Sequence, residues 1–240
     1  MTSPIRYGIT GTDTGIGKTV VTCALAARAR VLGLRVAAMK PIESGVIERP
    51  VSDHGLASDA DRLRAAAGST QPLSVVRPYV LEEPLAPMIA AERANLAIDV
   101  AVLDAALARI EQDAEVVLVE GAGGLLVPIT ANVSYLDLFV RWQLPLLLVA
   151  GNKLGVLNHV LLTVRAAEAM GVPVRAIVLT ALSDHDTTVA EATNFDALVT
   201  LLPHYTILRF PWVDRPDDLD ALAAAAEGGG LDVLLSPSSP

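Results

Sequence analysis

Cysteine, lysine, aromatic residues and positive charge are all scarce in this chain of 240 residues. The single cysteine, Cys23, leaves no partner for an intramolecular disulfide and excludes a cysteine-based metal site. It falls on the apolar face of a helical stretch, where a free thiol packs as a small hydrophobe. Eighteen Lys and Arg against 27 Asp and Glu leave a net charge of −9. Nucleic-acid affinity rests on basic patches that neutralise phosphates, so DNA and RNA are not expected partners. No apolar run reaches the ~18 residues that a membrane span needs, and no membrane partner is expected. The start, Met1-Thr-Ser-Pro4, lacks a charged region followed by an apolar one, so no signal peptide is expected and the chain reads as cytoplasmic. No Ser-His-Asp order and no His-x-x-Glu-His spacing stands out.

Apolar content is 52%, enough at this length for one sizeable core. Runs of four to six apolar residues alternate with stretches of helical period. The pattern predicts strands over 7–10, 36–39, 116–119, 146–150, 176–179 and 207–210. Helices are predicted over 18–32, 57–67, 100–112, 135–142, 158–170 and 187–201. Gly33 and Gly171 stand where helix C-termini favour a left-handed residue. Near-continuous apolar strands separated by helices imply a mostly parallel sheet, with helices on both faces. The fold class is therefore α/β, as one domain over 1–240, with a flexible tail from about Gly228.

The scarcity of lysine makes its positions informative. Lys18, Lys40 and Lys153 are the three lysines, and each follows an apolar strand. In open α/β sheets that edge is where ligands bind. Gly11-Thr-Asp-Thr-Gly-Ile-Gly-Lys-Thr19 links a strand to a helix, so its backbone N–H groups can cradle phosphates. Lys18 would reach the outer phosphates and the Thr19 hydroxyl could hold Mg²⁺. A strict phosphate-loop spelling has glycine where Thr12 stands, with Gly11 one position early. Val116-Val-Leu-Val-Glu120 resembles a strand that sets an acid beside Mg²⁺, and Gly121, Gly123 and Gly124 follow it. Lys40, in Lys40-Pro-Ile-Glu-Ser44-Gly45, offers a second cation for charge that develops during phosphoryl transfer. Asp59, in Ser58-Asp59-Ala-Asp61, is either a helix cap or a third acid of the metal shell. Asn152-Lys153-Leu154-Gly155 imitates a guanine reader, but Gly155 replaces the aspartate that would grip the base. Asn158 is a candidate N-cap for the next helix, and His159 reads as packed rather than catalytic.

Together these motifs resemble the dethiobiotin synthetases, within the P-loop NTPase fold. The matching pieces are the segment 11–19, Lys40-Pro-Ile-Glu-Ser-Gly45, Ser58-Asp-Ala60 and Pro78-Tyr79 with Glu83-Pro-x-x-Pro87. Val119-Glu-Gly-Ala-Gly-Gly124, Lys153-Leu-Gly-Val-Leu-Asn-His159 and Pro211-Trp212 complete the set, in the family's order and over nearly the whole chain. The resemblance implies conversion of 7,8-diaminopelargonic acid, CO₂ and a nucleoside triphosphate (ATP) to dethiobiotin, with Mg²⁺. Lys18 and Lys40 would flank the γ-phosphate and a substrate carbamate. Gly15, Ile16, Gly17, Lys18, Thr19, Val20, Asp59, Glu120, Gly121, Ala122, Gly123, Thr180, Ala181, Pro211 and Trp212 would hold the nucleotide. Thr19, Asp59 and Glu120 would order the metal. Thr14, Lys40, Ser44 and Gly123 would face the diamine, and Leu154, Gly155 and Asn158 would take its carboxylate from the second subunit of a homodimer.

Two features depart from some family members. Gly15 stands where some carry an acid. Thr180-Ala181 replaces an Asn-Asp pair whose Asn reads the adenine edge, so weak base discrimination is expected. Two other readings of the same fold remain at this point. One is an amide synthase of the cobyrinic-acid type, which usually carries a glutaminase domain with a cysteine nucleophile. The other is a partition-type ATPase switch, whose signature lysine would stand where this chain has Asp13.

Overall fold

The computed structural model describes residues 4–46, 57–185 and 188–236. In chain order the strands are β1 (Ile5–Gly11), β2 (Val36–Met39), β3 (Ile42–Ser44), β4 (Tyr79–Leu81) and β5 (Val116–Gly124), then β6 (Pro128–Thr130), β7 (Val133–Ser134), β8 (Leu146–Gly151), β9 (Val174–Thr180) and β10 (Thr206–Phe210). The helices are α1 (Lys18–Val31), α2 (Asp59–Ala67), α3 (Leu73–Val76), α4 (Pro87–Arg93) and α5 (Val100–Ile110). They continue with α6 (Tyr135–Arg141), α7 (Val156–Ala169), α8 (Val189–Leu201), α9 (Leu219–Gly228) and a 3-10 turn at Leu231–Leu234.

Six strands form one parallel sheet in the order β10-β9-β8-β1-β5-β2. Side chains alternate across it, as strand geometry requires. Val116 and Leu118 join the core under α1, α2 and α9, while Val117 and Val119 join the core under α5 and α6. A third cluster seats Val156, Val160 and Val164 of α7 on Leu148 and Ile177. All six predicted strands and all six predicted helices are present. The last predicted helix was expected from 187, which lies outside the described residues, and its described part starts at Val189. The short strands β3, β4, β6 and β7, and helices α3, α4 and α9, lie outside those expectations.

The connection from β1 to β2 skips one position, and β5 later fills the gap. Ile9 is thereby level with Glu120, and Met39 with Val119. Strands in a sheet lie about 4.8 Å apart. The loop after β1, the acid of β5 and the lysine after β2 consequently share one edge, at a switch point in strand order where α/β folds bind ligands.

Two local expectations need correction. Helix α7 is capped by Gly155 rather than Asn158, which sits exposed in its first turn. The expected tail is packed at its start: Leu231 and Leu234 are buried in the first core, and the Tyr7 hydroxyl donates to the Leu234 carbonyl at 2.9 Å. Glycine and serine content suggested fraying, but two leucines at helical spacing have an apolar groove to fill. The remaining tail, 237–240, lies outside the described residues. Leu231→Ala is expected to cost about 2–5 kcal/mol of unfolding free energy in a denaturant titration. An unchanged midpoint would restore the flexible tail.

Candidate active site

Helix α1 begins at Lys18 with Gly17 before it at φ 91°, a conformation that favours glycine, and with no side-chain cap. Its first N–H groups are left for an anion, and no acid stands in the first turn to compete. The unusual loop spelling has a steric reason. A Cβ on Gly11 would lie 2.9 Å from Ile16 and 3.1 Å from the Asp13 carbonyl, so the glycine is needed at 11, where the loop folds back on the strand. Lys18 Nζ donates to that same Asp13 carbonyl at 2.8 Å. From β8's side, Lys153 Nζ reaches Asp13 Oδ2 at 3.2 Å, while Thr180 Oγ1 donates to the Ile16 carbonyl at 2.8 Å.

Beneath the loop lies a compact charge cluster. Lys40 Nζ, almost wholly buried, donates to Glu120 Oε1 at 2.7 Å and to Asp59 Oδ2 at 2.8 Å. Thr19 Oγ1 donates to the same Glu120 oxygen at 2.8 Å. Burial opposes charge on Lys40, but the Glu120 and Asp59 carboxylates outweigh it and hold the ammonium above its ordinary pKa. For Asp59 burial works upward, and the Lys40 ammonium brings the carboxyl below its ordinary value. Lys18 is different: burial dominates, the Lys40 charge adds to it, and the pKa falls to about 8.

Sequence left open whether Asp59 caps its helix. Ser58 is the N-cap, accepting from the Asp61 N–H, and Asp59 is free to turn its carboxylate to Lys40. The start of α2 is held by a residue that sequence reasoning quoted but did not single out. Glu43 Oε1 accepts from the Asp59 N–H at 2.6 Å, and its Oε2 accepts from buried Arg77 at 2.9 Å. Its signal was one acid inside the Lys40–Gly45 motif, with no spacing to tie it to a helix 16 residues on.

Two adjoining cavities open on this edge. The larger, about 620 Å³, is lined by Thr14, Gly15, Gly17, Lys18, Thr19, Val20, Lys40, Ser44, Asp59, Ala122 and Gly123 from the expected set, and also by Glu43, Arg62, Leu85 and Val127. The smaller, about 180 Å³, shares Gly15, Gly17 and Val20 and adds Thr180, Ala181, Phe210, Pro211, Trp212 and Pro216. Among the described residues no three His, Cys, Asp or Glu side chains converge. The nearest donor set for a hard cation is two carboxylates and the Thr19 hydroxyl, and Glu120 Oε2 is buried with no hydrogen-bond partner. That suits Mg²⁺, which takes one or two carboxylates together with water and substrate phosphates.

The comparisons with known proteins bear on this geometry. A family model described as an AAA domain matches residues 6–215. The ATP-dependent dethiobiotin synthetase of Anaeromyxobacter dehalogenans (strain 2CP-C) is 46% identical over 179 residues, covering 74% of this chain and 77% of that protein. A Salmonella typhi protein named ATP-dependent dethiobiotin synthetase is 43% identical over 168 residues, covering 70% and 73%. The chain belongs to the ATP-dependent dethiobiotin synthetases. It is accordingly an ATP-dependent ligase. The MinC:MinD cell division protein complex of Aquifex aeolicus shares 14% identity at a TM-score of 0.53, covering 98% of this chain and 97% of that one. That likeness shows the P-loop NTPase fold alone.

Several expected residues stand away from both cavities. Ile16 is buried and offers its carbonyl to Thr180, and Glu120 lies beneath the cleft floor. Gly121 packs on the Tyr135 ring. Leu154, 86% exposed, and Asn158 lie at the surface beyond both cavities. Asn152 is held by α8: its Nδ2 donates to the Glu191 carbonyl, and Asn194 donates to its Oδ1. Those bonds, with Gly155 in place of an aspartate, account for the failed likeness to a guanine reader. Cys23 is buried in the core, and burial pushes its thiol up to about 12. Among the described residues no helix is long and apolar enough to cross a membrane.

The depressed Lys18 pKa gives a pH dependence. Anionic phosphates favour the ammonium, so binding takes up a proton once the free site is neutral. The dissociation constant for a triphosphate should therefore be flat from pH 7 to 8. It should then rise, by up to ~10-fold per pH unit, above 8. Calorimetric titrations across that range test this, and a constant value to pH 9.5 would contradict it.

Proposed function

We propose that this ligase closes the ureido ring of dethiobiotin from 7,8-diaminopelargonic acid, CO₂ and a nucleoside triphosphate, with Mg²⁺. The observation that carries the reading is the convergence of two buried lysines, Lys18 and Lys40, on one cleft beside Thr19, Asp59 and Glu120. One substrate amine adds to CO₂, and losing a proton it becomes a carbamate. A carbamate oxygen attacks the γ-phosphorus, and the bond to the ADP oxygen breaks. The second amine then attacks the carbamate carbon, expelling phosphate and giving up its proton as the ring closes. The substrate supplies both nucleophiles, which agrees with a cleft that offers cations and backbone rather than a nucleophilic side chain.

Each group has a task in this scheme. The open N-terminus of α1 and Lys18 hold the β- and γ-phosphates in line with the carbamate. Lys40, kept protonated by its two acids, meets the charge that gathers on the transferring phosphoryl and the anhydride. Thr19, Asp59 and Glu120 would hold Mg²⁺, which supplies charge neutralisation across the phosphates. Thr14, Ser44 and Gly123, which line the same cleft, would face the diamine. A homodimer would bring Leu154, Gly155 and Asn158 of a second copy toward the far, carboxylate end of the diamine. Their exposure beyond both cavities fits that role.

The smaller cavity takes the base, between Thr180-Ala181 and Pro211-Trp212. The Thr180 hydroxyl is committed to the Ile16 carbonyl and lies 3.2 Å from that of Ala150. It has no proton left for a base edge, and the remaining walls are mainly apolar. Such a pocket accepts a base by shape and stacking. One assay tests both points: phosphate release measured with ATP, CTP or GTP, with and without the diamine and bicarbonate. Release should require both carbon substrates, and kcat/KM for the three nucleotides should fall within ~100-fold of each other. Release indifferent to the diamine would contradict the activity, and a larger ATP preference would contradict the base pocket.

A further inference from the structure

The two cavities share Gly15, Gly17 and Val20, but their outer walls are far apart in sequence, and one side chain links two of those walls. The wall of the smaller cavity includes Pro211, Trp212, Val213 and Pro216, in the irregular segment between β10 and α9. Within that segment the polar contacts are short-range: Trp212 Nε1 donates to Asp214 at 2.7 Å, and Arg215 pairs with Asp218 at 2.8 Å. Neither ties the segment to another element; Val213 packs on the first core, and the polar tie is Arg62. Its Nη2 donates to the Pro216 carbonyl at 2.8 Å, and its Nε lies 2.9 Å from Asp217 Oδ1.

Arg62 is three residues after Asp59 on α2, and residues at that spacing lie on neighbouring faces of a helix. Its side chain is 19% exposed and also lines the larger cleft. A planar guanidinium suits this place, because it can meet a carbonyl and a carboxylate at once. The start of helix α2 is itself held by Glu43, which is in turn paired with Arg77.

We propose that Arg62 is a positioning residue for the nucleotide, strapping the Pro216–Asp217 turn to α2 and so tying the base cavity to the helix that carries Asp59. The inference rests on the nucleotide reading of the two cavities given above. Losing the strap leaves the phosphate contacts in place and frees the base wall to move. Triphosphate affinity then suffers through the base wall.

Trp212 gives a direct readout, since it is 46% exposed while the second tryptophan, Trp142, is buried. In Arg62→Ala, acrylamide quenching of tryptophan fluorescence in the ligand-free protein should rise. The triphosphate dissociation constant should rise about 10-fold, as loss of a hydrogen bond to a charged group would give. Because Arg62 also lines the larger cleft, the diamine is read in Asp217→Ala, which breaks the strap from outside that cleft and should leave the KM for the diamine within ~2-fold. Arg62→Lys, which can keep one of the two contacts, should fall between. If Arg62→Ala fails to fold by circular dichroism, Asp217→Ala tests the same strap from the exposed side and should show the same signs more weakly. A folded variant with unchanged quenching and unchanged triphosphate affinity would overturn the proposal. Raised quenching without weaker binding would overturn its link to the nucleotide. If the wild-type protein binds no triphosphate, the nucleotide reading fails, while quenching alone still decides whether Arg62 holds the segment.

Discussion

The ion pair between Lys40 and Glu120, closed over by the sheet edge, is the constraint on which the site depends. A lysine with 5% of its side chain exposed and a glutamate with none are costly to bury, and their attraction only offsets that cost. Asp59 joins the same ammonium and Thr19 the same glutamate, so strand β5, helix α2 and the start of α1 are tied into one cluster. Removing either partner would leave a charge stranded in the core, where well-packed apolar residues would serve stability equally well. A buried pair at the carboxyl edge of a parallel sheet is therefore best understood as retained for chemistry. It keeps a cation in place and protonated next to a loop whose own lysine is easily neutralised.

Much of this was readable from the residues, for identifiable reasons. Parallel strands buried on both faces are continuous apolar runs, and each of the six stood out. The loop at 11–19, the acid at 120 and the lysine at 40 were legible because strand ends mark the ligand edge. Local spacing failed where long-range packing decides. Leu231 and Leu234 looked like the start of a polar tail until the groove under α9 received them. Asn158 looked like a cap, but Gly155 turns the chain into the helix earlier.

The support around the acids was harder to read. Asp59 could not be told from a cap, because the answer depended on Ser58 taking that duty and on Glu43 reaching the first N–H groups from another strand. Arg62 carried no motif. Its role follows from a loop 154 residues away, which only the fold brings near. Thr180 is a further case: expected to border the nucleotide without reading its base, it also braces the phosphate loop with its hydroxyl. Its methyl side faces Gly17, so it still borders the base cavity while contributing no polar contact to it.

The central claim is that a substrate carbamate, and not water, attacks the phosphate held over Lys18 and Lys40. The fate of the carbon dioxide oxygens tests it most directly. With ¹⁸O-labelled CO₂, and quenching before the label exchanges with water, the bridging oxygen of the anhydride must leave with the phosphate. The account predicts one labelled oxygen in each phosphate released. Unlabelled phosphate, its new oxygen drawn from water, would contradict it.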